Sequence, residues 1–272
     1  MDELAGKVAL ITGSAGGIGL GIARAFASKG MRIVLSDVDE DELATAADGM
    51  ASGGSDVMCV ALDVTNREDW ARAAEAITAQ LGPVQVLVNN AGISSSGLNF
   101  RDIEPQVWDQ VVSTNLTGAY NGIREFLDGM LALGSGHIVN TSSVAGLIPG
   151  PTLSAYAATK SALIALSESL RSELIDTGIG VSVLCAGPVR TRLWRTSRIA
   201  RGLPDVDVPP EGLSGQSGRA EMLPDEVGRR VLRAVMDNDL YVITHPEHRP
   251  ILEERHERMM RSFDKCSDFP KS

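Results

Sequence analysis

The chain has 272 residues, 43% of them hydrophobic and 22% charged, enough to bury a sizeable core in one large α/β domain or two small ones. Its net charge of −10, from 25 basic and 35 acidic side chains, argues against a nucleic-acid backbone as partner. No stretch is long and apolar enough to span a bilayer, and Met1-Asp2-Glu3-Leu4 does not open a secretory leader.

Short apolar runs alternate with longer helical patterns, the mark of a parallel sheet with helices on both faces. Strands are predicted at 8–12, 32–36, 57–61, 84–89, 137–141, 181–185 and 241–244. Most are too uniformly apolar to leave one face in water. Helices are predicted at 18–28, 39–50, 67–81, 105–133, 154–177 and 224–237. Together they make a single domain over 1–272, a doubly wound Rossmann-type α/β fold with a seven-stranded parallel sheet. The exception is 192–222, rich in Gly, Pro and Arg and without a clear period. An irregular insertion of that length in a compact domain is usually functional, and a lid is expected there. A last helix is expected at 246–263, followed by a loose end at 265–272.

The first strand runs into Thr12-Gly13-Ser14-Ala15-Gly16-Gly17-Ile18-Gly19 and then a helix. Amides at a helix N-terminus attract phosphate, and glycine lets a ligand approach the chain closely. The second strand ends at Asp37, whose carboxylate can accept bonds from both hydroxyls of an adenosine ribose or cap the next helix. Val38, Asp39, Glu40 and Asp41 follow, with no Arg or Lys among them to receive a 2′-phosphate. This acidic cluster points to NAD over NADP.

Further on comes Ser154-Ala155-Tyr156-Ala157-Ala158-Thr159-Lys160. Positions four apart share a helix face, so Tyr156 and Lys160 project side by side. A free phenol ionises near pH ~10, and a neighbouring ammonium favours the phenolate. Lowering the value to about 7 takes roughly 4 kcal/mol of differential stabilisation. The same pair also occurs by chance on amphipathic helices, so the surrounding motifs decide.

In those motifs the chain resembles the short-chain dehydrogenase/reductase family, in its shorter form, over nearly its whole length to Thr244. Thr12-Gly13-x-x-x-Gly17-x-Gly19 matches the family's nucleotide turn, with Ser14 and Ile18 inside it, and Asp63-Val64 matches its adenine contact. Asn89-Asn90-Ala91-Gly92 matches the motif after the fourth strand, where Asn89 and Asn90 read more readily as structural ties. The resemblance implies a catalytic tetrad of Asn115, Ser143, Tyr156 and Lys160, with Ser143 thirteen residues before Tyr156. Ser142 is the wrong neighbour by that count. Ala186-Gly187-Pro188-Val189-Arg190-Thr191 resembles the segment beside the nicotinamide, with Ala186 where proline is usual. Pro188, Val189 and Thr191 are the implied cofactor contacts, although Thr191 could also cap a helix.

In the implied chemistry Tyr156 exchanges the proton, Ser143 holds the substrate oxygen, and Lys160 holds the nicotinamide ribose. Asn115 holds a water that relays protons from Lys160. NAD is the expected cofactor and no metal is expected, since His137, His245, His248 and His256 form no ligand cluster. Cys59, Cys185 and Cys266 are odd in number and lack metal or redox spacing, which reads as reduced thiols in a cytoplasmic protein. Leu147, Leu153, Pro188, Leu193 and Trp194 are expected to line an apolar pocket for a bulky secondary alcohol or ketone, aromatic, alicyclic or steroid-like. Arg192, Arg195, Arg198 and Arg201 could attract a carboxylate but read more readily as a solvated face. The rivals are an NADP-dependent carbonyl reductase, an extended-form epimerase or dehydratase, and a silent NAD-binding regulatory or scaffold protein. A homotetramer is expected, with a dimer as second choice, because a final strand of Tyr241-Val242-Ile243-Thr244 would leave an exposed edge. Leu252, His256, Met259 and Phe263 give the last helix a stripe that could fold back on its own subunit or reach a partner.

Overall fold

The computed structural model describes residues 3–95, 97–204 and 221–266. Each apolar run becomes a strand: β1 (Val8–Thr12), β2 (Arg32–Asp37), β3 (Val57–Ala61), β4 (Val84–Asn89), β5 (Gly136–Ser143), β6 (Ile179–Ala186) and β7 (Tyr241–Ile243). They form one parallel sheet in the order β3-β2-β1-β4-β5-β6-β7. The order reverses between β1 and β4, and such a switch point opens a crevice beyond the strand carboxyl ends.

Helices cover both faces, which is why the strands are apolar throughout. Helix α1 (Gly17–Ala27), α2 (Glu40–Ala51) and α9 (Pro224–Asp237) pack on one side, burying Phe26, Ile22, Leu43 and Val231. On the other side α3 (Arg67–Leu81), α5 (Gly118–Leu133) and α7 (Ser154–Glu173) bury Trp70, Phe126, Met130 and Leu170. Trp70 and Phe126 meet edge to face with centroids 6.2 Å apart. Fully burying a large apolar side chain contributes about 1.5–3 kcal/mol, so these two layers carry most of the stability. Local signals set the helix ends: the Asp39 side chain accepts from Glu42 N–H at α2, and Asn66 accepts from Glu68 N–H at α3. At α9, Pro224 takes the first position, and Asn238 closes the helix at φ 57°.

Three expectations need correction. The helix expected over 105–133 is broken into α4 (Pro105–Val112), a π turn at Ser113–Thr117, and α5. The segment 192–222 is not irregular throughout, because α8 (Leu193–Ala200) forms within it, while 205–220 lie outside the described residues. Its two ends are joined where Arg190 N–H donates to Met222 O at 3.0 Å and Met222 N–H donates to Pro188 O at 3.1 Å. The last helix begins with a 3-10 turn at Pro246–His248 and continues as α10 (Arg249–Cys266). Lys265 and Cys266 therefore belong to it, and 267–272 lie outside the described residues.

Among the described residues none of α10 is buried, and of its stripe Leu252 alone is half-buried. Met259 and Phe263 are 44% and 71% exposed. The short helix α6 (Val144–Leu147) completes the set.

Candidate active site

At the end of β1 the chain turns back on itself under Asn90. Asn90 donates from Nδ2 to Thr12 O at 2.9 Å and Gly13 O at 3.0 Å, and accepts from Thr141 Oγ1 at 3.3 Å. The Thr12 hydroxyl accepts from Asn90 N–H and Ala91 N–H, both at 3.0 Å. Asn89 donates to Asn140 at 2.9 Å. These side chains tie β1, β4 and β5 together, the structural reading of both asparagines. Gly13 sits at φ 62°, and a Cβ there would lie 2.8 Å from Ala91 Cα. At Gly19 a Cβ would lie 2.4 Å from Gly13 O, so neither position admits a side chain.

Helix α1 starts after Gly16, with no side-chain cap and no acidic residue in its first turn. The first amides of a helix lack intrahelical acceptors, and here no carboxylate of the helix competes for an anion. This uncapped, glycine-lined start fits the phosphates of a dinucleotide. The buried Ser14 hydroxyl donates to Ile11 O at 2.8 Å and accepts from Ser36 N–H at 2.8 Å. It fastens β1 to β2 and leaves only backbone to the turn. Ile18 packs against the core beneath it.

Asp37 lies beside this turn and accepts from Ala15 N–H at 3.1 Å and from Val38 N–H at 2.9 Å. It does not cap α2, because Asp39 does. Asp63 folds onto its own turn, accepting from Thr65 N–H at 2.9 Å and Oγ1 at 2.8 Å. Val64 is buried, and its carbonyl accepts from the Trp70 indole at 2.9 Å.

The π turn places Asn115 inside the domain. Its Oδ1 accepts from Ile93 N–H at 2.8 Å, while Nδ2 donates to Ile93 O at 2.9 Å and Thr159 Oγ1 at 3.1 Å. Its amide is engaged at both ends, so a relay water would need a main-chain oxygen. A π turn supplies one, because its extra residue leaves a carbonyl without the usual helical amide. Gly92 leaves room here, as a Cβ would lie 3.1 Å from Asn115 Oδ1 and 3.4 Å from Lys160 Nζ.

Ser143, Tyr156 and Lys160 converge where β5 ends against α7. Lys160 is 3% exposed, and its ammonium donates to Thr141 O at 2.7 Å. Its Nζ lies 5.5 Å from the centroid of the Tyr156 ring. Burial brings the ammonium pKa down to about 8, which leaves it largely protonated at pH 7. Burial raises the Tyr156 phenol above its ordinary value, and a hydrogen bond from Ser143 pulls against that rise. The expected lowering by Lys160 is not what dominates at this phenol. The Ser143 hydroxyl accepts from Ala145 N–H at 3.1 Å and lies 3.2 Å from Ala186 O. Its single proton therefore has two acceptors, Ala186 O and the Tyr156 oxygen. Ser142 is bonded away from the site, to Lys160 O at 2.7 Å.

Beyond β6, Gly187 N–H donates to Thr244 Oγ1 at 2.9 Å, holding the segment that follows. Val189 packs against the core. Thr191 lies over the glycine turn, its Cγ2 3.2 Å from a Cβ built at Gly17, and it accepts from Leu193 N–H at 3.4 Å. The residue that caps α8 is Arg192, not Thr191. Helix α8 is pinned down by Ser197, which accepts from Ser94 N–H at 2.8 Å. Leu193, Trp194 and Leu153 are half-buried. Leu147 instead packs against Ile164, Val183 and Cys185, which makes it a wall support. Sequence reasoning missed Thr141, whose carbonyl holds Lys160, and Thr244. A backbone acceptor and a hydroxyl after a short strand leave no motif to find.

The short chain dehydrogenase family model matches residues 7–202. EphD of Mycobacterium tuberculosis is 35% identical over 233 residues, which is 83% of this chain but 38% of EphD, so the chain spans well under half of that relative. The 2,5-dichloro-2,5-cyclohexadiene-1,4-diol dehydrogenase LinX of Sphingobium indicum is 31% identical over 221 residues, 81% of this chain and 84% of LinX. A crystal structure of a short chain dehydrogenase/reductase from Burkholderia phymatum in complex with NAD superposes with a TM-score of 0.85 at 31% identity, covering 100% of this chain and 99% of that one. The seven-stranded parallel sheet, the glycine turn and these matches agree, and the chain belongs to the short chain dehydrogenase family.

Proposed function

We propose that the protein is an NAD-dependent oxidoreductase that interconverts a secondary alcohol and a ketone, with Asn115, Ser143, Tyr156 and Lys160 as its working residues. The convergence of Ser143, Tyr156 and Lys160 beside the glycine turn carries this reading. The nicotinamide, when bound, supplies or accepts the hydride. Gly13, Gly17, Gly19 and the first amides of α1 would hold the pyrophosphate, and Asp37 the adenosine ribose. Asp63 and Val64 flank the adenine position. Asn90, Ala91 and Gly92 line the floor, and Pro188, Val189 and Thr191 border the nicotinamide end.

In ketone reduction Tyr156 gives the proton to the carbonyl oxygen. A neutral phenol is the proton donor, and burial keeps Tyr156 protonated. Ser143 steadies the oxygen as charge develops there, turning its proton from Ala186 O to the substrate. In alcohol oxidation Tyr156 must ionise, and the retained charge of Lys160 favours that. Lys160 also holds a ribose hydroxyl and passes the proton outward beside Asn115.

Half-buried Leu153, Leu193 and Trp194 suit a bulky apolar substrate, and the cyclic diol named for LinX supports an alicyclic alcohol. The lid reading of 192–222 is kept for α8, the part of it that lies among the described residues. The edge strand β7 exposes Tyr241 (47%) and Ile243 (40%), and α10 presents its stripe outward. Both favour a homotetramer, with a dimer as the second choice. No described helix is long and apolar enough to cross a membrane, and a cytoplasmic enzyme is the reading we adopt.

Four outcomes are expected. Tyr156→Phe should lower kcat by at least a hundredfold with NADH binding retained; a variant keeping more than about a tenth of kcat would have lost under 1.4 kcal/mol, too little for the proton donor. The ratio of kcat/KM values should favour NAD(H) over NADP(H), and a ratio of one or below would overturn the preference. Hydrogen exchange in α8 should slow when a substrate analogue joins the cofactor complex, whereas unchanged protection rules out a lid. Sedimentation equilibrium at micromolar concentration should show about four times the 28.8 kDa chain mass; a monomer alone would mean that β7 and α10 need no partner.

A further inference from the structure

An arginine far away in sequence sits at the corner where the acidic residues gather. Arg192 follows Thr191 across the glycine turn, and its Nη2 lies 3.3 Å from the Cβ position of Gly16. Its fork meets Glu42 with both nitrogens, Nη1 to Oε1 at 2.8 Å and Nη2 to Oε2 at 2.9 Å. Asp37 touches the same turn through Ala15 N–H, and Asp39 acts on Arg192 through its charge. The corner therefore holds Asp37, Asp39, Glu42 and Arg192, with the charge of Arg195 also felt at Glu42. If phosphates lie on the α1 amides, this is the adenosine-ribose end of the groove.

The pair is poorly suited to a structural role. Its side chains are 48% and 40% exposed, and an ion pair so open to water contributes only about 0–1 kcal/mol. It joins segments 150 residues apart, across the mouth of the groove. A guanidinium fork fits a phosphate as well as it fits a carboxylate. The space beside Gly16, where any other residue would place a side chain, is filled by that fork.

Resting on the dinucleotide reading above, we propose that Glu42 and Arg192 are a specificity pair. Arg192 is a binding fork for a ribose 2′-phosphate, and Glu42 keeps it neutralised. With Glu42 charged, an incoming 2′-phosphate meets Asp37, Asp39 and an occupied arginine. Without that charge, Arg192 faces the phosphate directly. Cofactor choice is thus set by Glu42 as well as by Asp37.

The test is binding to the cofactor-free protein. ADP and adenosine 2′,5′-bisphosphate are titrated by calorimetry, and NADH and NADPH by fluorescence, into the parent, Glu42→Gln and Glu42→Gln/Arg192→Gln proteins. Glu42→Gln should tighten the bisphosphate and NADPH by about tenfold, with ADP and NADH changed less than about threefold, and the second substitution should remove the gain. An unmoved ratio, or a gain that survives loss of Arg192, overturns the proposal. An equal gain for ADP and NADH also overturns it, by assigning Arg192 to the pyrophosphate. Circular dichroism checks folding, and Glu42→Ser serves if Glu42→Gln is unfolded. A parent that binds neither ADP nor NADH removes the dinucleotide reading and this proposal with it; a parent that binds NADH with an unmoved ratio removes this proposal alone.

Discussion

A buried ammonium joined to a strand carbonyl fixes the geometry on which the rest of the site depends. Lys160 donates to Thr141 O at 2.7 Å, and so sets α7 against the end of β5. A charge with so little exposure is costly unless it is hydrogen-bonded, and its lowered pKa records part of that cost. The same helix carries Tyr156 one turn earlier. The same strand ends in Ser143 two residues after Thr141. Placing one ammonium therefore brings the serine and the tyrosine together. Ser142 adds a second tie from β5 to α7 through Lys160 O, which keeps the two elements from sliding.

Around that junction the chain approaches itself more closely than side chains allow. Gly92 leaves space for Asn115 and Lys160, and Gly19 leaves space for the Gly13 carbonyl. Gly21 and Gly228 let α1 and α9 cross backbone to backbone, since a Cβ at Gly228 would lie 2.1 Å from Gly21 O. That crossing holds α1 from behind, and α1 presents its uncapped amides to the crevice. Rigid packing at the back and open donors at the front are two results of the same helix placement.

The end of the groove at Lys160 is buried and hydrogen-bonded, whereas the end at Glu42 and Arg192 is charged and open to water. At the first, burial shifts Tyr156 and Lys160 in opposite senses, both toward their neutral forms. At the second, Glu42 and Arg192 remain half exposed. This division suits the proposed roles, a proton moved in a dry corner and a cofactor chosen at a hydrated rim.

The sequence by itself determined the sheet, the glycine turn and the shared helix face of Tyr156 and Lys160. Those features are local: strand runs, a four-residue helical interval, and glycines where no side chain fits. Ser143, and its choice over Ser142, came from the family resemblance and not from a local feature. Only the tertiary structure decided the π turn at Asn115, because that extra residue answers to Ile93 and Thr159 on other elements. Contact with Ser94 and Gln110 anchors α8 inside a segment too polar to show a period. Ser14 points inward because β2 lies beside it. The exposed face of α10 was not legible either, since an apolar stripe does not say what it packs against. Nor was Arg192, absent from the residues following Asp37 and delivered there by the fold from the far side of β6. Pairings over such separations depend on how crossovers stack the layers, and no local period encodes that.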